Sequence, residues 1–514
     1  MRTATPPEPS RRLRRPPSGV TIRLKALLAA FVVIASCLAG VMTDGEPAQA
    51  APKSQAAPAT FTNPLNSMGP DPWMTYYKGN YYMMATPWNA PLTMRKAPTI
   101  AALKKAAPVP VFNDFPADRC CSVWAPEFHL LNGPNGPRWY IYYSAGDGSM
   151  ETQRVHVLES SGTDPLGPYT YKGMVFGSED WWGIDGSVVN INNQLYLLWS
   201  GVSTPKWAGS DPQIYIARMS NPWTVSGSRT AISTPTYDWE KSGVPMNEGP
   251  EALQHDGKTF ITYSASACSG PDYKLGLLTY SGGDVLSAGS WAKSAEPVFQ
   301  RSDANGVFGP GHNGFFTSPD GTENWIVYHA NAASDQGCGG TRSTRIQKFT
   351  WNADGTPDFG TPAASGTALE VPSGEPTVTY QRITNRGSGK VIDVQAPNTD
   401  NRTPIGQYGW NGAAWQQWRT VDSGNGYTSL ESLNSGKCLD VLDFSTADGA
   451  SVIQWPCHGG ANQQFQWVPV GDHYQLKNRH SGKCLTVVGG STADGARLEQ
   501  RTCGSGAGFE WSRQ

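Results

Sequence analysis

One short pattern occurs five times between residues 61 and 371, and it constrains the fold more than any other feature. The pieces NYYMMAT, RWYIYYSA, QLYLLWSG, KTFITYSA and NWIVYHA each place aromatic and aliphatic residues after turn-forming residues. Aligned on Tyr82, Tyr140, Tyr196, Phe260 and Trp325, the copies are separated by 58, 56, 64 and 65 residues. A steady period of this length, with no helical pattern between copies, is typical of propeller blades. The repeat predicts an all-β fold with a five-bladed β-propeller. A β-sandwich with chance regularity is the alternative.

A polar residue precedes the aromatic anchor of every copy by 11 to 13 residues. These residues are Asp71 in GPDPW, Glu127 in VWAPEF, Asp185 in WGIDGSV, Glu248 in NEGPEAL and His312 in GPGHNGFF. The first strand of each blade lines the central channel of a propeller. Because the five residues occupy the same position in each blade, we expect all five side chains to meet at one mouth of the channel. A shift of one residue would turn a side chain away from that mouth.

Three of these residues, Asp71, Asp185 and Glu248, would form a cluster of carboxyl groups with few cations nearby in the sequence. Like charges in a partly dry cavity raise one another's pKa values, so one carboxyl group can stay protonated while another is ionised. Cleavage of a glycosidic bond uses such a pair, an acid for the leaving oxygen and a base for water. A separation of roughly 6.5–9.5 Å would admit the water and invert the anomeric configuration.

The five motifs, in this order, resemble those of the five-bladed propeller enzymes of glycoside hydrolase family 43, over roughly residues 60–372. The resemblance implies that Asp71 is the general base, Glu248 the general acid and Asp185 the residue that tunes and orients the acid. It also implies that His312 helps to hold a structural ion, usually calcium, largely through water. Histidine is an unusual calcium ligand, so a buried histidine bonded to the backbone is the alternative. No cofactor is expected for the chemistry itself.

Other residues near the motifs are candidates for contact with a sugar. The aromatic candidates are Trp73, Trp124 and Trp182, for each of which core packing is an equal alternative. The family carries an arginine near the pocket, and Arg345 is taken as that residue, with Arg342 of the same TRSTRIQ piece left open. Glu127 and Glu251 are expected to support the site rather than to react.

A second repeat follows a short linker at 373–377. The pieces NRGSGKVIDV, LNSGKCLDV and RHSGKCLTV recur at offsets of 47 and 46 residues, which predicts a three-unit β-trefoil over 378–514. Cys438 and Cys457 match Cys484 and Cys503 in position, so each pair is expected to form a disulfide within its own unit. The first unit has Val391 in the place of the first cysteine.

This segment resembles the ricin-B-like lectin modules of carbohydrate-binding module family 13. The resemblance implies sugar-binding residues in the first two units. They are Asp393, Tyr408, Asn411 and Gln416 in the first unit, and Asp440, Trp455, His458 and Gln463 in the second. The third unit has Thr486, Arg501, Gly504 and Ala507 at these places, so it is not expected to bind a sugar.

Residues 1–50 have the features of a secretory signal, with a basic start, an apolar run over 26–42 and a cleavage site ending at Ala50. A lipoprotein signal at Cys37 is the rival, and the choice between Sec and twin-arginine export stays open. Without Cys37, eight of the nine cysteines remain, an even number that suits disulfides in an exported protein. Cys120, Cys121, Cys268 and Cys338 allow cross-bridges or a vicinal disulfide. The predicted catalytic domain covers 58–372.

The expected function is that of a secreted, inverting hydrolase that releases α-L-arabinofuranosyl units from arabinan or arabinoxylan of plant cell walls. The extended motifs resemble the arabinofuranosidase branch of the family. A β-xylosidase or an endo-arabinanase of the same fold is the nearest alternative, and a non-catalytic carbohydrate-binding protein is the other. The net charge of −2 gives no footprint for nucleic acid, and a monomer with no membrane partner is expected.

Overall fold

The computed structural model describes residues 59–514 except 178, 179, 205, 206, 208, 210 and 396. The predicted signal at 1–50 lies outside these residues. Strands dominate the described part of the chain, in which the α-helix Ile100–Leu103 is four residues long and none is long and apolar enough to cross a membrane. The all-β prediction is confirmed.

Five antiparallel sheets of four or five strands form the propeller. The first blade comprises Trp73–Tyr77, Asn80–Met84, Leu92–Ala97 and Val109–Phe112. The second comprises Cys121–Gly133, Gly136–Gly146, Arg154–Ser160 and Tyr169–Met174, with Trp88–Asn89 added beside its first strand. The third comprises Gly183–Ile191, Gln194–Gly201, Gln213–Asn221, Thr224–Val225 and Thr230–Ser233.

The fourth blade comprises Asn247–His255, Lys258–Ala265, Lys274–Tyr280 and Trp291–Lys293. The fifth comprises Phe308–Thr317, Asn324–Asn331, Ser343–Trp351 and Pro357–Asp358. The first strand of every blade contacts the first strands of both neighbouring blades, which closes the ring around a channel. Thr60–Thr62 pairs with Ala368–Glu370, so the start and the end of the propeller are joined.

The blades are held together by apolar side chains that alternate along the strands and pack between neighbouring sheets. The aromatic anchors of the sequence repeat, such as Tyr140, Tyr196 and Phe260, are all buried in these layers. Between the first and fifth blades the layer contains Met74, Tyr81 and Trp325. The repeat therefore reflects the packing of successive blades, and the prediction of five blades is confirmed.

Three four-stranded units form the trefoil, joined in one continuous sheet. The first unit comprises Ile383–Asn385, Val391–Val394, Ile405–Tyr408 and Trp418–Asp422. The second comprises Thr428–Ser432, Cys438–Val441, Ala450–Trp455 and Phe465–Val470. The third comprises His473–Asn478, Cys484–Val487, Leu498–Arg501 and Trp511–Arg513. Equivalent residues Ile392, Leu439 and Leu485 from the three units share one buried core.

Short 3-10 turns complete the chain. They are Ala117–Arg119, Met150–Thr152, Asp238–Glu240, Ala288–Ser290, Asp303–Asn305, Ala414–Gln416, Leu442–Phe444, Ala461–Gln463, Val488–Gly490 and Ala507–Phe509.

The trefoil packs on the first blade through buried groups. Leu433 of the trefoil is only 3% exposed and belongs to the apolar cluster between the first and fifth blades. Beside it, the Glu431 carboxylate forms ion pairs with Lys96 of the first blade at 3.4 Å and with Arg419 of the trefoil at 2.8 Å. Arg419 also donates to the side chain of Asn80 at 3.1 Å. Even the linker is held, because the Glu375 carboxylate accepts the backbone N–H of Ile100 at 2.9 Å.

Four disulfides occur in the described chain. Cys438 is joined to Cys457 and Cys484 to Cys503, each across 19 residues within one trefoil unit. In the propeller, Cys120 is joined to its neighbour Cys121, and Cys268 to Cys338 across 70 residues. The alternatives for these last four cysteines are thereby resolved in favour of the vicinal pair.

Candidate active site

Every blade has a backbone irregularity in its first strand or just before it, near the same mouth of the channel. One residue at this point has a positive φ in each blade: Asp71 at 51°, Ala125 at 42°, Asp185 at 56°, Gly249 at 55° and His312 at 44°. In the second to fifth blades the strand register also shifts here, as in a β-bulge. Bulges re-aim side chains and are common beside active sites. The irregularity turns polar side chains out of the sheet toward the channel mouth.

A cavity of about 310 Å³ opens at this mouth. Its wall includes the side chains of Asp71, Asp185, Glu248 and His312, from the first, third, fourth and fifth blades. The structure thus brings together residues that are far apart in sequence, and all four are at least nine-tenths buried. The apolar part of the wall includes four tryptophans, namely Trp88, Trp124, Trp182 and Trp207.

Asp71 is held as a carboxylate. Burial alone would raise its pKa, but Arg342, His312 and His329 together hold the pKa of Asp71 well below its ordinary value. Arg342 donates to Oδ1 at 2.6 Å, and Thr86 donates its hydroxyl hydrogen to Oδ2 at 2.6 Å. The backbone N–H of Asp71 also donates to Nδ1 of His329 at 3.1 Å. A carboxylate that stays ionised at low pH can accept a proton from water.

The surroundings of Glu248 favour its protonated form. Burial raises its pKa to about 7, the nearby Asp71 adds to the rise, and a hydrogen bond from Tyr273 opposes it. The Tyr273 hydroxyl donates to Oε1 of Glu248 at 2.7 Å. Near neutral pH a large fraction of Glu248 can therefore carry a proton. In the described residues no hydrogen bond joins the carboxyl groups of Glu248 and Asp71, and both residues line the same cavity.

Asp185 lies beside the acid. Burial raises its pKa well above the ordinary value, and the charges of Glu248 and Asp71 raise it further. Its Oδ2 accepts the backbone N–H of Gly249 at 3.0 Å, the residue that follows Glu248. Asp185 therefore fixes the turn that aims Glu248.

Tyr273 is a site residue that the sequence did not reveal. It is 1% exposed, and its ring stacks on the His329 ring at 5.5 Å with an interplanar angle of 12°. A Cβ atom at Gly311 would lie 2.5 Å from the Tyr273 ring, so the glycine of the GPGHNG motif makes room for it. The stack places Tyr273, which donates a hydrogen bond to Glu248, against His329, which accepts one from the backbone of Asp71.

Glu127 does not reach the mouth, which corrects the prediction that five equivalent residues meet there. It lies deeper, where His129 Nε2 is 3.0 Å from its Oε2 and Ser187 donates to the carboxylate of Glu251 at 2.8 Å. Burial raises the pKa of Glu127 to about 8 and that of Glu251 well above its ordinary value. Each of them lies two residues after the positive-φ position of its blade, and Trp124 is the second-blade counterpart of Glu248.

Two of the residues predicted to contact a sugar are not part of the cavity wall. Trp73 lies two residues past Asp71 and packs on Phe128 and His129 in the core between the first two blades. Arg345 is 1% exposed, donates to the Ser343 hydroxyl and is absent from the cavity wall.

The other two predicted contacts, Trp124 and Trp182, lie in the cavity wall. Arg342, the arginine left open by the sequence, is the one that faces the site. Trp88 and Trp207 were missed by the sequence, which offered no motif around them.

His312 lies beside Asp71, with its Nδ1 3.5 Å from Oδ1 of that residue. Its Nε2 is buried and finds no hydrogen-bond partner in the described chain. This nitrogen fits a single contact to an ion or to one of the ion's waters. Calcium prefers six to eight oxygen ligands, and no group of three or more His, Cys, Asp or Glu side chains in the described residues is placed to bind an ion directly.

The predicted sugar residues of the first two trefoil units form matching clusters. In the first unit, Gln416 donates to Oδ2 of the buried Asp393 at 2.8 Å and accepts the N–H of Asn411 at 2.8 Å. In the second, Gln463 makes the same two bonds, to Asp440 at 2.8 Å and from the N–H of His458 at 2.9 Å. Both glutamines are fully buried, so they orient the aspartates.

Aromatic groups cover these aspartates. Tyr408 is 46% exposed in the first unit, and a cavity of about 190 Å³ in the second includes Asp440, Trp455 and His458. Phe444, missed by the sequence, is 48% exposed in the same wall. In the third unit, Thr486 occupies the aspartate position and donates to the backbone of Gly508 at 3.1 Å.

Comparison with known proteins agrees with both domains. Residues 61–357 match the family model of the glycosyl hydrolases family 43, and residues 379–511 match that of the ricin-type β-trefoil lectin domain. An extracellular exo-α-(1→5)-L-arabinofuranosidase of Streptomyces avermitilis is 39% identical over 358 residues, which cover 68% of this chain and 71% of the relative. α-L-Arabinofuranosidase B of Pyricularia oryzae is 31% identical over 430 residues, covering 80% and 87%.

Among solved structures, an α-L-arabinofuranosidase from Lactobacillus brevis is 33% identical with a TM-score of 0.55, covering 60% of this chain and 98% of that one. The family match extends over more than half of the chain and coincides with the propeller whose mouth holds the three carboxyl groups. The chain is a glycoside hydrolase and belongs to glycosyl hydrolases family 43, with a ricin-type lectin domain after the propeller.

Proposed function

We propose that the protein is a secreted, inverting exo-hydrolase that releases terminal α-L-arabinofuranosyl units from arabinan or arabinoxylan. The observation that carries this proposal is the pairing, in one cavity, of an ionised Asp71 with a Glu248 whose pKa is raised to about 7. Two similar proteins named above are α-L-arabinofuranosidases, and one of these is named exo-acting. A cavity of about 310 Å³ is at the small end of ligand pockets, which suits a single terminal sugar.

Asp71 is the general base and Glu248 the general acid in this mechanism. Asp71 takes a proton from a water molecule while the oxygen of that water forms a bond to the anomeric carbon. The bond from that carbon to the leaving oxygen breaks, its electron pair stays on the oxygen, and the oxygen takes the proton of Glu248. Arg342 and Thr86 hold the Asp71 carboxylate in place for this step.

Asp185 and the tryptophans prepare the site. Asp185 holds the Gly249 turn that aims Glu248, and repulsion between the two carboxyl groups opposes the ionisation of both at once. Trp124 and Trp182 offer apolar faces to the sugar and help to exclude water, which strengthens every electrostatic interaction in the cavity. His312 would contact a structural calcium ion through its free Nε2 or through a bound water, and such an ion would stabilise the channel without taking part in the reaction.

The trefoil would bind the same plant polysaccharide through the Asp393 and Asp440 clusters, and the protein would act as a monomer outside the cell. Two relatives are named extracellular, which supports secretion. A second binding site on one polymer raises the local concentration of substrate around the pocket. Alanine substitution of both aspartates should abolish retention on insoluble arabinan without changing hydrolysis of a soluble aryl arabinofuranoside.

The deciding experiment is incubation with linear arabinan, arabinoxylan and xylo-oligosaccharides, with the first product identified by chromatography and its anomer by NMR. Release of β-L-arabinofuranose supports the proposal. Release of xylose, of oligosaccharides, or of no sugar at all would instead support a β-xylosidase, an endo-arabinanase or a non-catalytic protein. In the matched variant Glu248→Gln the rate should fall by about 10²–10⁴, because a glutamine has no proton to give to the leaving oxygen.

A further inference from the structure

A second cavity, of about 400 Å³, lies beside the catalytic pocket on the first blade. Trp88 is part of the wall of both cavities. Its backbone has a φ of 67°, a conformation that is uncommon for a bulky residue and that strained functional segments often contain. The Arg342 guanidinium lies 5.6 Å from the centre of its ring. Trp88 thus stands where the pocket and the second cavity meet.

The surface of this second cavity suits a neutral sugar chain. Its floor is formed by Met83, Met84 and Thr93, and exposed residues such as Met68 and Gly340 form its rim. Arg95 is the one charged side chain among the described residues that line it. No carboxylate among them would attract a cationic partner, whereas apolar floors with a few polar groups hold the faces of sugar rings.

The far side of the cavity reaches the trefoil. Pro108 lines the cavity, and its carbonyl oxygen accepts the hydroxyl hydrogen of Thr399 at 3.2 Å. The preceding residue, Ala107, donates its N–H to the Asn434 carbonyl at 2.6 Å. Thr399 belongs to the trefoil segment that leads to Arg402, whose side chain lines the cavity of the second unit.

That trefoil segment is firmly held. The buried Lys437 donates to the carbonyl of Thr399, and Gln454 donates to the carbonyl of Asp400 at 3.0 Å. Together with the buried contacts of Glu431 and Leu433, these bonds fix the second unit relative to the first blade. The Thr399 segment is a loop of the first unit that lies against the second unit's cavity, whereas the Asp393 cluster makes no hydrogen bond to a groove residue among the described bonds.

We propose that the second cavity, here called the blade-one groove, binds the polysaccharide chain that emerges from the catalytic pocket and leads it toward the second trefoil unit. One polymer molecule then occupies the pocket, the groove and the Asp440 cluster together. The first unit, with Asp393, binds a separate chain or a distant part of the same one. This inference rests on the proposed function, because it concerns the rest of the substrate whose terminal sugar is cleaved.

The test uses a pair of neighbouring glycines. A Cβ atom at either Gly340 or Gly339 would meet no atom within 4 Å, and neither glycine has a positive φ, so both accept a larger side chain. Gly340 lines the groove and Gly339 does not. The variant Gly340→Phe and its control Gly339→Phe are compared by the ratio of kcat/KM on linear arabinan to kcat/KM on 4-nitrophenyl α-L-arabinofuranoside. The ratio should fall about tenfold in Gly340→Phe, well within the gain that a linked second site can give, and stay constant in the control.

A double-mutant comparison tests the link to the trefoil. Asp440→Ala should lower the arabinan ratio in the wild-type background and change it little in Gly340→Phe, because the blocked groove already separates the two sites. Asp393→Ala should have the same effect in both backgrounds. An unchanged ratio in Gly340→Phe, or identical coupling for Asp393 and Asp440, would overturn the inference. A wild-type protein that does not hydrolyse the aryl arabinofuranoside at all would instead overturn the proposed function.

Should Gly340→Phe fail to fold, Thr93→Trp fills the same groove from a strand of the first blade. Its matched control is Thr170→Trp, at an exposed position of the strand Tyr169–Met174 in the second blade. The expected and contradicting ratios are the same as for the glycine pair.

Discussion

At the scale of single residues, the candidate site separates two carboxyl groups by giving them different partners. The Asp71 carboxylate accepts hydrogen bonds from a guanidinium and a hydroxyl, whereas Glu248 accepts one from a phenol and lies near the negative charge of Asp71. Both are buried to a similar degree, at 7% and 9% exposure, so burial alone cannot explain their different protonation. Charged partners therefore decide which carboxyl group acts as base and which as acid.

The variant Tyr273→Phe tests this account of the acid. Activity requires protonated Glu248, so kcat/KM should decline as pH rises through about 7 in the wild type. The Tyr273 hydrogen bond stabilises the carboxylate and lowers that pKa, so its loss should move the alkaline limb of the pH profile to higher pH. The same donor stabilises the negative charge that forms as the proton leaves, so kcat should also fall, by about ten- to a hundredfold.

The control is Tyr263→Phe in the same blade, which removes a hydrogen bond of 2.9 Å to Glu240 away from the cavity. It should lower the melting temperature and leave the pH profile in place. A Tyr273→Phe profile that coincides with the wild type would show that Tyr273 does not act on Glu248. With 2,4-dinitrophenol as leaving group, which needs no proton, the loss of rate should be smaller than with arabinan.

At the scale of the strands, the sequence predicted the blades but misaligned one of them. Distances counted from the aromatic anchors group Glu127 with Glu248, yet WAPE and EGPE align with Glu127 opposite Glu251 and Trp124 opposite Glu248. The count from the anchor varies because the hairpins differ in length. Glu127 pairs with Tyr142 in a hairpin that turns after Gly133, whereas Glu251 pairs with Thr262 in a shorter hairpin that turns after His255. The shared Pro-Glu pair was the signal that could have fixed the alignment.

Other site residues could not be read from the sequence, for physical reasons. Trp88, Tyr273 and Arg342 lie outside the first strands, so no repeat phase locates them, and only the packed fold brings them to the cavity. Trp73 and Arg345 carry suitable chemistry but alternate to the buried faces of their strands. Asp71, Asp185 and Glu248 were found because each lies at, or one residue before, the positive-φ position of its blade, near one mouth of the channel.

The Cys268–Cys338 disulfide joins two loops that carry partners of the acid and the base. Cys268 lies in the loop 266–273, which ends at Tyr273, and Cys338 lies in the loop 332–342, which ends at Arg342. Both cysteines line the cavity. In the double variant Cys268→Ser/Cys338→Ser, Arg342 should lose its fixed position beside Asp71. The pKa of Asp71 should then rise, so the acidic limb of kcat/KM should move to higher pH, because the base works only when ionised.

The matched control is the double variant Cys438→Ser/Cys457→Ser in the trefoil. Loop-closure entropy predicts a loss of stability of about 4 kcal/mol for the bond across 70 residues and about 3 kcal/mol for the one across 19. Both variants should melt earlier, and only the first should change the acidic limb. If the pH profiles of both variants match that of the wild type, the Cys268–Cys338 disulfide stabilises the fold but does not influence the pKa of Asp71.

At the scale of the whole molecule, the lectin domain is a fixed part of the enzyme. A flexible tether would leave polar and apolar groups of both domains facing water, but here Leu433 of the trefoil fills the core between two blades and Glu431 lies buried between two cations. A buried charge network of this kind is stable only when every partner is present. The two domains should therefore unfold together, although the sequence suggested only a linker between them.

Leu433→Asp tests this fixed geometry. Burying an unpaired carboxylate among Met74, Tyr81 and Phe316 would cost several kcal/mol, so the trefoil should leave the first blade and expose the variant side chain to water. Calorimetry should then show two transitions where the wild type shows one. The control Val470→Asp adds the same charge at a trefoil position that is already 36% exposed, and it should keep the single transition.

Hydrolysis of the aryl arabinofuranoside should persist in Leu433→Asp, because the pocket belongs to the propeller. The preference for arabinan should fall, because the second unit no longer lies beside the blade-one groove. One transition in Leu433→Asp, with an unchanged preference for arabinan, would mean that Leu433 does not hold the two domains together.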